Sequence, residues 1–202
     1  AVGAALALAL PAFALAAHAL GEGWYVSLAS KATILALAGV GLNLALGYGG
    51  MVSLGHAAFF GIGGYVAGIA GNAALSGLPV MDGLLTIPGT DQMPVIWAVA
   101  VGLSALVALA IGAISLRTEG VNFIMITLAF AQMIYYFAIS WPEYGGEDGL
   151  PIYLRNQFPG LDTTEPLQFF ALSFGCLAAA LALTAMLTRA RFGRALECAR
   201  MN

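Results

Sequence analysis

Between Ala32 and Met81 the chain carries no Asp, Glu, Lys or Arg. At a rise of about 1.5 Å per helical residue, this run is long enough to cross a hydrocarbon layer of about 30 Å twice. Its centre, Leu44 to Gly71, reads LALGYGGMVSLGHAAFFGIGGYVAGIAG, apolar throughout but rich in glycine and holding one histidine. Gly50, Ser53, Ala57, Gly61, Gly64, Gly68 and Gly71 recur at steps of three or four. The mean step of about 3.5 is the period of a left-handed helix–helix seam. Small residues on one stripe let a second backbone come close, and Gly64-x-x-x-Gly68 is a compact form of that device. A tightly packed transmembrane helix accounts for the pattern, and an element of a transport path is the sharper reading.

The rest of the chain agrees. Of its 202 residues 61% are hydrophobic and 8% charged, against about 25% charged in a soluble domain. Segments of alternating polarity, the mark of a membrane β-barrel, do not occur. The expected fold is all-α and polytopic, with about six transmembrane helices near 1–20, 24–46, 51–71, 94–116, 121–140 and 167–188. The first segment resembles a signal-peptide core, but the number of spans behind it favours a first transmembrane helix. The chain starts on Ala1 and stops on Asn202, and it reads as a fragment. Its expected parts are a truncated transmembrane domain, 1–188, and a tail, 189–202.

Arginine sets the orientation. Arg117, Arg189, Arg191, Arg194 and Arg200 fall on one side of this arrangement, and Lys31 and Arg155 on the other. The positive-inside rule puts the tail in the cytoplasm. The opposite loops then hold Glu22, Asp82, Asp91, Glu143, Glu147, Asp148, Asp162 and Glu165. Trp24, Tyr25, Trp97 and Trp141 fall near the outer interface, where amphipathic rings anchor. Lys31 is read as snorkelling. In the outer segment 141–166, Tyr144-Gly-Gly-Glu-Asp-Gly-Leu-Pro151 reads as a turn region with glycines at positive φ, and as a contact surface in the sharper reading.

Catalytic patterns are absent from the sequence. His18 and His56 have no helical partner at ligand spacing, and Cys176 and Cys198 match neither a disulfide framework nor a metal site. Lys31 is the only lysine and no glycine-rich loop precedes it, so no Walker A loop exists here. No basic face for nucleic acid is present. In the tail, Phe192, Ala195, Leu196 and Ala199 lie at i, i+3, i+4 and i+7, flanked by Arg191, Arg194 and Arg200. This is a short amphipathic helix that would lie on anionic headgroups or dock in a protein groove.

Four ordered stretches carry a resemblance. They are Asn43-Leu-Ala-Leu-Gly-Tyr-Gly-Gly with Ser53-Leu-Gly-His-Ala-Ala-Phe-Phe-Gly, Leu116-Arg-Thr-Glu-Gly120 with Ile126-Thr-Leu-Ala-Phe130, Gly145-Gly-Glu-Asp-Gly-Leu150, and Arg191-Phe-Gly-Arg-Ala-Leu196. Together they resemble the permeases of ATP-driven importers for branched-chain amino acids, and the "M" type subunit more than its "H" type partner. The resemblance implies a bacterial inner-membrane subunit, not itself an enzyme, with ATP and Mg bound by partner chains. The implied partners are a second permease subunit, two cytoplasmic ATPases and a periplasmic or lipid-anchored binding protein, besides membrane lipid. It also implies that Arg191, Phe192, Gly193, Arg194, Ala195, Leu196, Ala199 and Arg200 couple to an ATPase groove. Urea, short amides or aromatic acids are alternative substrates, and an ion-coupled transporter is a different class. Because uncompensated polar groups are costly in a membrane, Asn43, Ser53, His56, Thr127 and Gln132 are the candidates for the substrate path, with interhelical hydrogen bonding as the simpler role. Gly50, Ala57, Gly61, Gly64, Gly68 and Gly71 are the candidates for helix packing.

Overall fold

The computed structural model describes residues 2–77, 89–115, 117–118, 120–152, 155–191 and 193, with side chains from residue 9 onward. Six α-helices follow one another: α1 Val2–Ala19, α2 Gly23–Asn43, α3 His56–Ser76, α4 Met93–Ser115, α5 Val121–Ile139 and α6 Pro166–Arg189. A π-helical turn, Leu44–Tyr48, extends α2, and two 3-10 turns, Pro142–Tyr144 and Gly146–Asp148, follow α5. Among the described residues there is no strand, only an isolated bridge between Gln92 and Gln157. Five helices, α2 with its π turn and α3 to α6, are long and apolar enough to cross a membrane; the described apolar part of α1, Ala9–Ala19, is shorter. The chain is an all-α, multi-pass membrane protein.

Five helices fall where the sequence places them. The third does not: it spans His56–Ser76 rather than 51–71. The cause is local. Gly50 takes a φ of +64°, and the backbone N–H of Gly55 donates to Ser53 Oγ at 3.2 Å. A serine hydroxyl that bonds two residues ahead competes with helix winding and holds a turn. The helix therefore begins only at His56 and continues past Gly71.

The chain folds as two compact units, one of Ala1–Met51 with Leu161–Asn202 and one of Val52–Gly160. In the first, α1, α2 and α6 pack together around Ala14, Ala17, Val26, Ala29 and Phe170, with Phe174 against them. Three buried hydroxyls of α2 and α6 are satisfied within their own helices. Ser30 donates to Val26 O at 3.0 Å, Thr33 to Ala29 O at 2.8 Å and Ser173 to Phe169 O at 2.9 Å. Small side chains with internally bonded hydroxyls let the helices approach without an unpaired donor in the contact.

In the second unit α3, α4 and α5 pack against one another. At one end the connecting segments fold back onto α3. Gly89 lies against the backbone of Ala73 and Ala74. Gln157 N–H donates to Asp91 O at 2.7 Å, and Met93 N–H to Gln157 O at 2.8 Å. The rings of Trp97 and Phe158 lie 5.9 Å apart. The turn region expected at 144–151 is present: Gly145, Gly146 and Gly149 take φ of +92°, +52° and +81°. At Gly145 the place of a Cβ is filled by the Gly149 carbonyl, so both φ and space require glycine there.

The small-residue seam is corrected on three points. Gly50 and Ser53 lie outside α3. A Cβ at Gly61 or Gly64 would meet nothing within 4 Å, so within the described chain neither makes the expected helix contact. Gly68 and Gly71 are closely packed, but against a connecting segment: Leu150 and Ile152 at Gly68, Asn156 Oδ1 at 2.9 Å from a Cβ on Gly71. Of the glycines of the stripe inside α3, two have close neighbours and two face open space in the described chain.

Candidate transport site

Gly55 organises the loop that leads into α3. It is buried, and a Cβ on it would stand 3.2 Å from Thr127 O and 3.5 Å from Thr127 Cβ. The loop therefore rests directly on the backbone of α5. Thr127 is six residues from the start of α5, about 9 Å along its axis. Non-helical backbone beside a membrane helix at such depth must be buried in protein or line a wet cavity. Here the Gly55 N–H is taken by Ser53 Oγ, and the Gly55 carbonyl by Ala58 N–H at 3.1 Å. Thr127 is itself buried and donates to Ile124 O at 3.0 Å. Ser53 and Thr127, two of the candidates, are thus brought together across Gly55.

His56 is the first residue of α3. Its ring meets that of Phe59 edge-on at 6.3 Å. Its Nδ1 is buried and has no hydrogen-bond partner among the described residues. The flanking Leu54 and Ala57 face a cavity of about 510 Å³ between α3 and α5, with Leu103 of α4 on its wall. The α3 wall continues through Ala58, Gly61, Ile62, Tyr65, Val66 and Ile69. The α5 side has Leu128, Ala131, Gln132, Ile134, Tyr135, Phe137 and Ala138, and Trp141 stands just beyond it. The volume lies within the range of small-molecule sites, about 300–1,000 Å³. The wall is almost wholly apolar, and Gln132 supplies its one amide.

Asn43 is the last residue of α2, exposed, in the other unit. Its Oδ1 stands 2.5 Å from the place of a Cβ on Gly47. Beyond it, Gly49 N–H donates to Leu44 O at 3.2 Å, and a Cβ on Gly49 would stand 2.7 Å from Ala45 O. Glycine at 47 and 49 thus leaves room for the wider winding of the π turn. Asn43 thus lies beside this turn and belongs to a different unit from the Ser53–Gly55–Thr127 cluster.

Gly55, Tyr65, Tyr135 and Trp141 were not among the candidates. Gly55 was visible inside the Ser-Leu-Gly-His stretch but has no side-chain chemistry to select it. In sequence Trp141 reads as an interface anchor; the fold also places it on the cavity wall, just past the end of α5. In the tail, α6 ends at Arg189, Ala190 is extended with φ −73° and ψ 173°, and helical backbone resumes at Arg191 and Gly193. Phe192, Arg194, Ala195, Leu196, Ala199 and Arg200 lie outside the described residues.

The family model described as branched-chain amino acid transport system, permease component, matches residues 24–202. No curated protein and no solved structure matches the chain.

Proposed function

The chain belongs to the family of branched-chain amino acid permease components, and on that premise we propose that it forms one half of the membrane pathway of an ATP-driven importer for branched-chain amino acids. The observation that carries the reading is Gln132. Its side chain is exposed in the middle of α5, on the wall of an apolar cavity. An amide facing hydrocarbon at that depth is costly, so the cavity mouth is wet or covered by protein. In either case an aliphatic space with one amide suits a solute with a branched hydrocarbon side chain. It suits urea poorly, because urea has no apolar surface to bury. The described cavity wall carries no carboxylate, imidazole or ammonium group, which favours this reading over an ion-coupled relay.

The Ser53–Gly55–Thr127 cluster lies at one end of α3, and His56 opens that helix. In this reading they form the inner part of the path, with His56 as a packing or gating residue. Energy comes from elsewhere, since no Walker A loop is present. Two ATPases on the cytoplasmic side supply it, a second permease subunit completes the pathway, and a periplasmic or lipid-anchored binding protein delivers the amino acid. The excess of arginine on one side of the membrane supports a cytoplasmic tail in a bacterial inner membrane. The break at Ala190 supports a tail helix mechanically separate from α6, placed to receive motion from an ATPase groove. The M-type assignment rests on the resemblance of the four motifs.

The test is uptake of leucine, valine and urea by vesicles holding the complete transporter. A Cβ at Gly61 meets nothing within 4 Å, so Gly61→Trp projects a large ring from the cavity wall without forcing the α3 backbone aside. It should lower leucine and valine uptake at least tenfold with assembly intact. Wild-type uptake by this variant, or urea carried in preference to leucine, removes the proposed role.

A further inference from the structure

Trp141 joins two features that are otherwise separate, the cavity and the glycine-rich turns. Its side chain is part of the cavity wall, and its backbone holds the turns that follow. Tyr144 N–H and Gly146 N–H both donate to Trp141 O, at 3.2 and 3.1 Å. Its ring lies 5.0 Å from that of Phe137 and 5.4 Å from that of Tyr144. Beyond the turns the chain comes down on α3. Leu150 seats in the space left by the missing side chain of Gly68, beside Ile152, and Asn72 Nδ2 donates to Pro151 O at 2.8 Å. Gly68 and Ile69 are successive residues, so the seat adjoins the Ile69 end of the cavity.

We propose that residues 141–152 form a strap over the end of the α3–α5 cavity, that Gly68 and Asn72 are its seat, and that the strap must leave this seat for a solute to pass. This rests on the reading of the cavity as part of the pathway. The strap is built to move as a piece. Gly145 and Gly149 adopt backbone conformations open to glycine and little else, and the Asn72–Pro151 hydrogen bond and the Leu150 side chain in the Gly68 socket hold its far end on α3. Glu143, Glu147 and Asp148 are exposed along it, so the strap presents charge to solvent while its apolar edge faces the helices. Gly68 and Asn72 are positioning residues: they act on the solute through Trp141.

A reversible tether tests this. Leu150 Cγ stands 3.3 Å from the place of a Cβ on Gly68, close to the about 3 Å between a sulfur and the far Cβ of a disulfide. Gly68→Cys with Leu150→Cys, in a Cys176→Ser, Cys198→Ser background, should cross-link on oxidation in the complete reconstituted transporter. Leucine uptake should fall at least tenfold when oxidised and return on reduction. Wild-type uptake by the cross-linked protein overturns the strap, and failure to cross-link overturns the seat. A second measurement does not depend on that pair: Ala138→Cys labelled by a membrane-impermeant maleimide from the side of the strap. Adding Asn72→Ala should raise the labelling rate severalfold, and an unchanged rate overturns the positioning role. Gly61→Trp keeps the two readings apart. If it transports normally the pathway reading fails, whereas a tether without effect beside a blocking Gly61→Trp removes the strap alone.

Discussion

At the scale of single residues, glycine in this chain does two opposite things, and space around each tells them apart. Gly55 and Gly68 are sockets: the backbone of Thr127 fills the first and Leu150 the second. Gly64 faces open space in the chain. Alanine at 55 forces a contact on backbone that cannot rotate away, so Gly55→Ala should cost about 1–2 kcal/mol. Gly64→Ala gains helix propensity worth up to about 1 kcal/mol and should leave the isolated subunit as stable or more so. Thermal unfolding of the purified chain in detergent checks both, and equal shifts in the two variants would refute the distinction. The same Gly64→Ala should weaken assembly if the second permease subunit covers that face of α3. Ser53 is a third case. Ser53→Ala leaves the buried Gly55 N–H without its acceptor, at about 1–3 kcal/mol, and Ser53→Thr, which keeps the hydroxyl, should restore most of the loss.

At the scale of elements, the joints between helices hold more information than the helices. The glycine turns after α5 depend on a φ of +92° at Gly145 and on the carbonyl of Gly149 where a Cβ would go. Gly145→Ala should unseat the turns and expose the segment after Ile139 to proteolysis, leaving helix content unchanged by circular dichroism. At the other joint, the backbone of Thr188 occupies the place of a Cβ on Gly193. Gly193→Leu should straighten or displace the elbow between α6 and the tail. In the proposed role this uncouples hydrolysis from uptake while the helices still insert; coupled transport at the wild-type rate would exclude a need for that elbow.

At the scale of the whole molecule, the permease role makes the chain a part of a larger machine, and the tail is the proposed link. Leu196→Asp puts a carboxylate on the apolar face of Phe192, Ala195, Leu196 and Ala199. Burying it unpaired in a groove is expensive, so the ATPase should be lost on co-purification of the complete protein. An Arg191, Arg194 and Arg200→Gln triple variant should matter more if the tail lies on anionic lipid instead. Retention of the ATPase by Leu196→Asp with transport intact would refute docking.

The helices themselves were legible because a membrane leaves few choices. Backbone groups in hydrocarbon must bond within their own segment, so an apolar stretch of membrane length, such as α4 or α6, reads directly as a helix. Small residues at steps of three or four mark a stripe along α3, but the spacing does not say which of its glycines is covered: Gly68 is and Gly64 is not. What comes close was decided elsewhere. Leu150 lies far from Gly68 along the chain, and it reaches that glycine only after three glycines in sequence have turned the backbone. The start of α3 at His56 was also hidden, because a single hydrogen bond from Gly55 N–H to Ser53 Oγ outweighs the helical period of the residues around it. Periodicity is a property of one segment and sequence states it in full. A contact between distant segments depends on the path of every turn between them, and only the folded chain determines that.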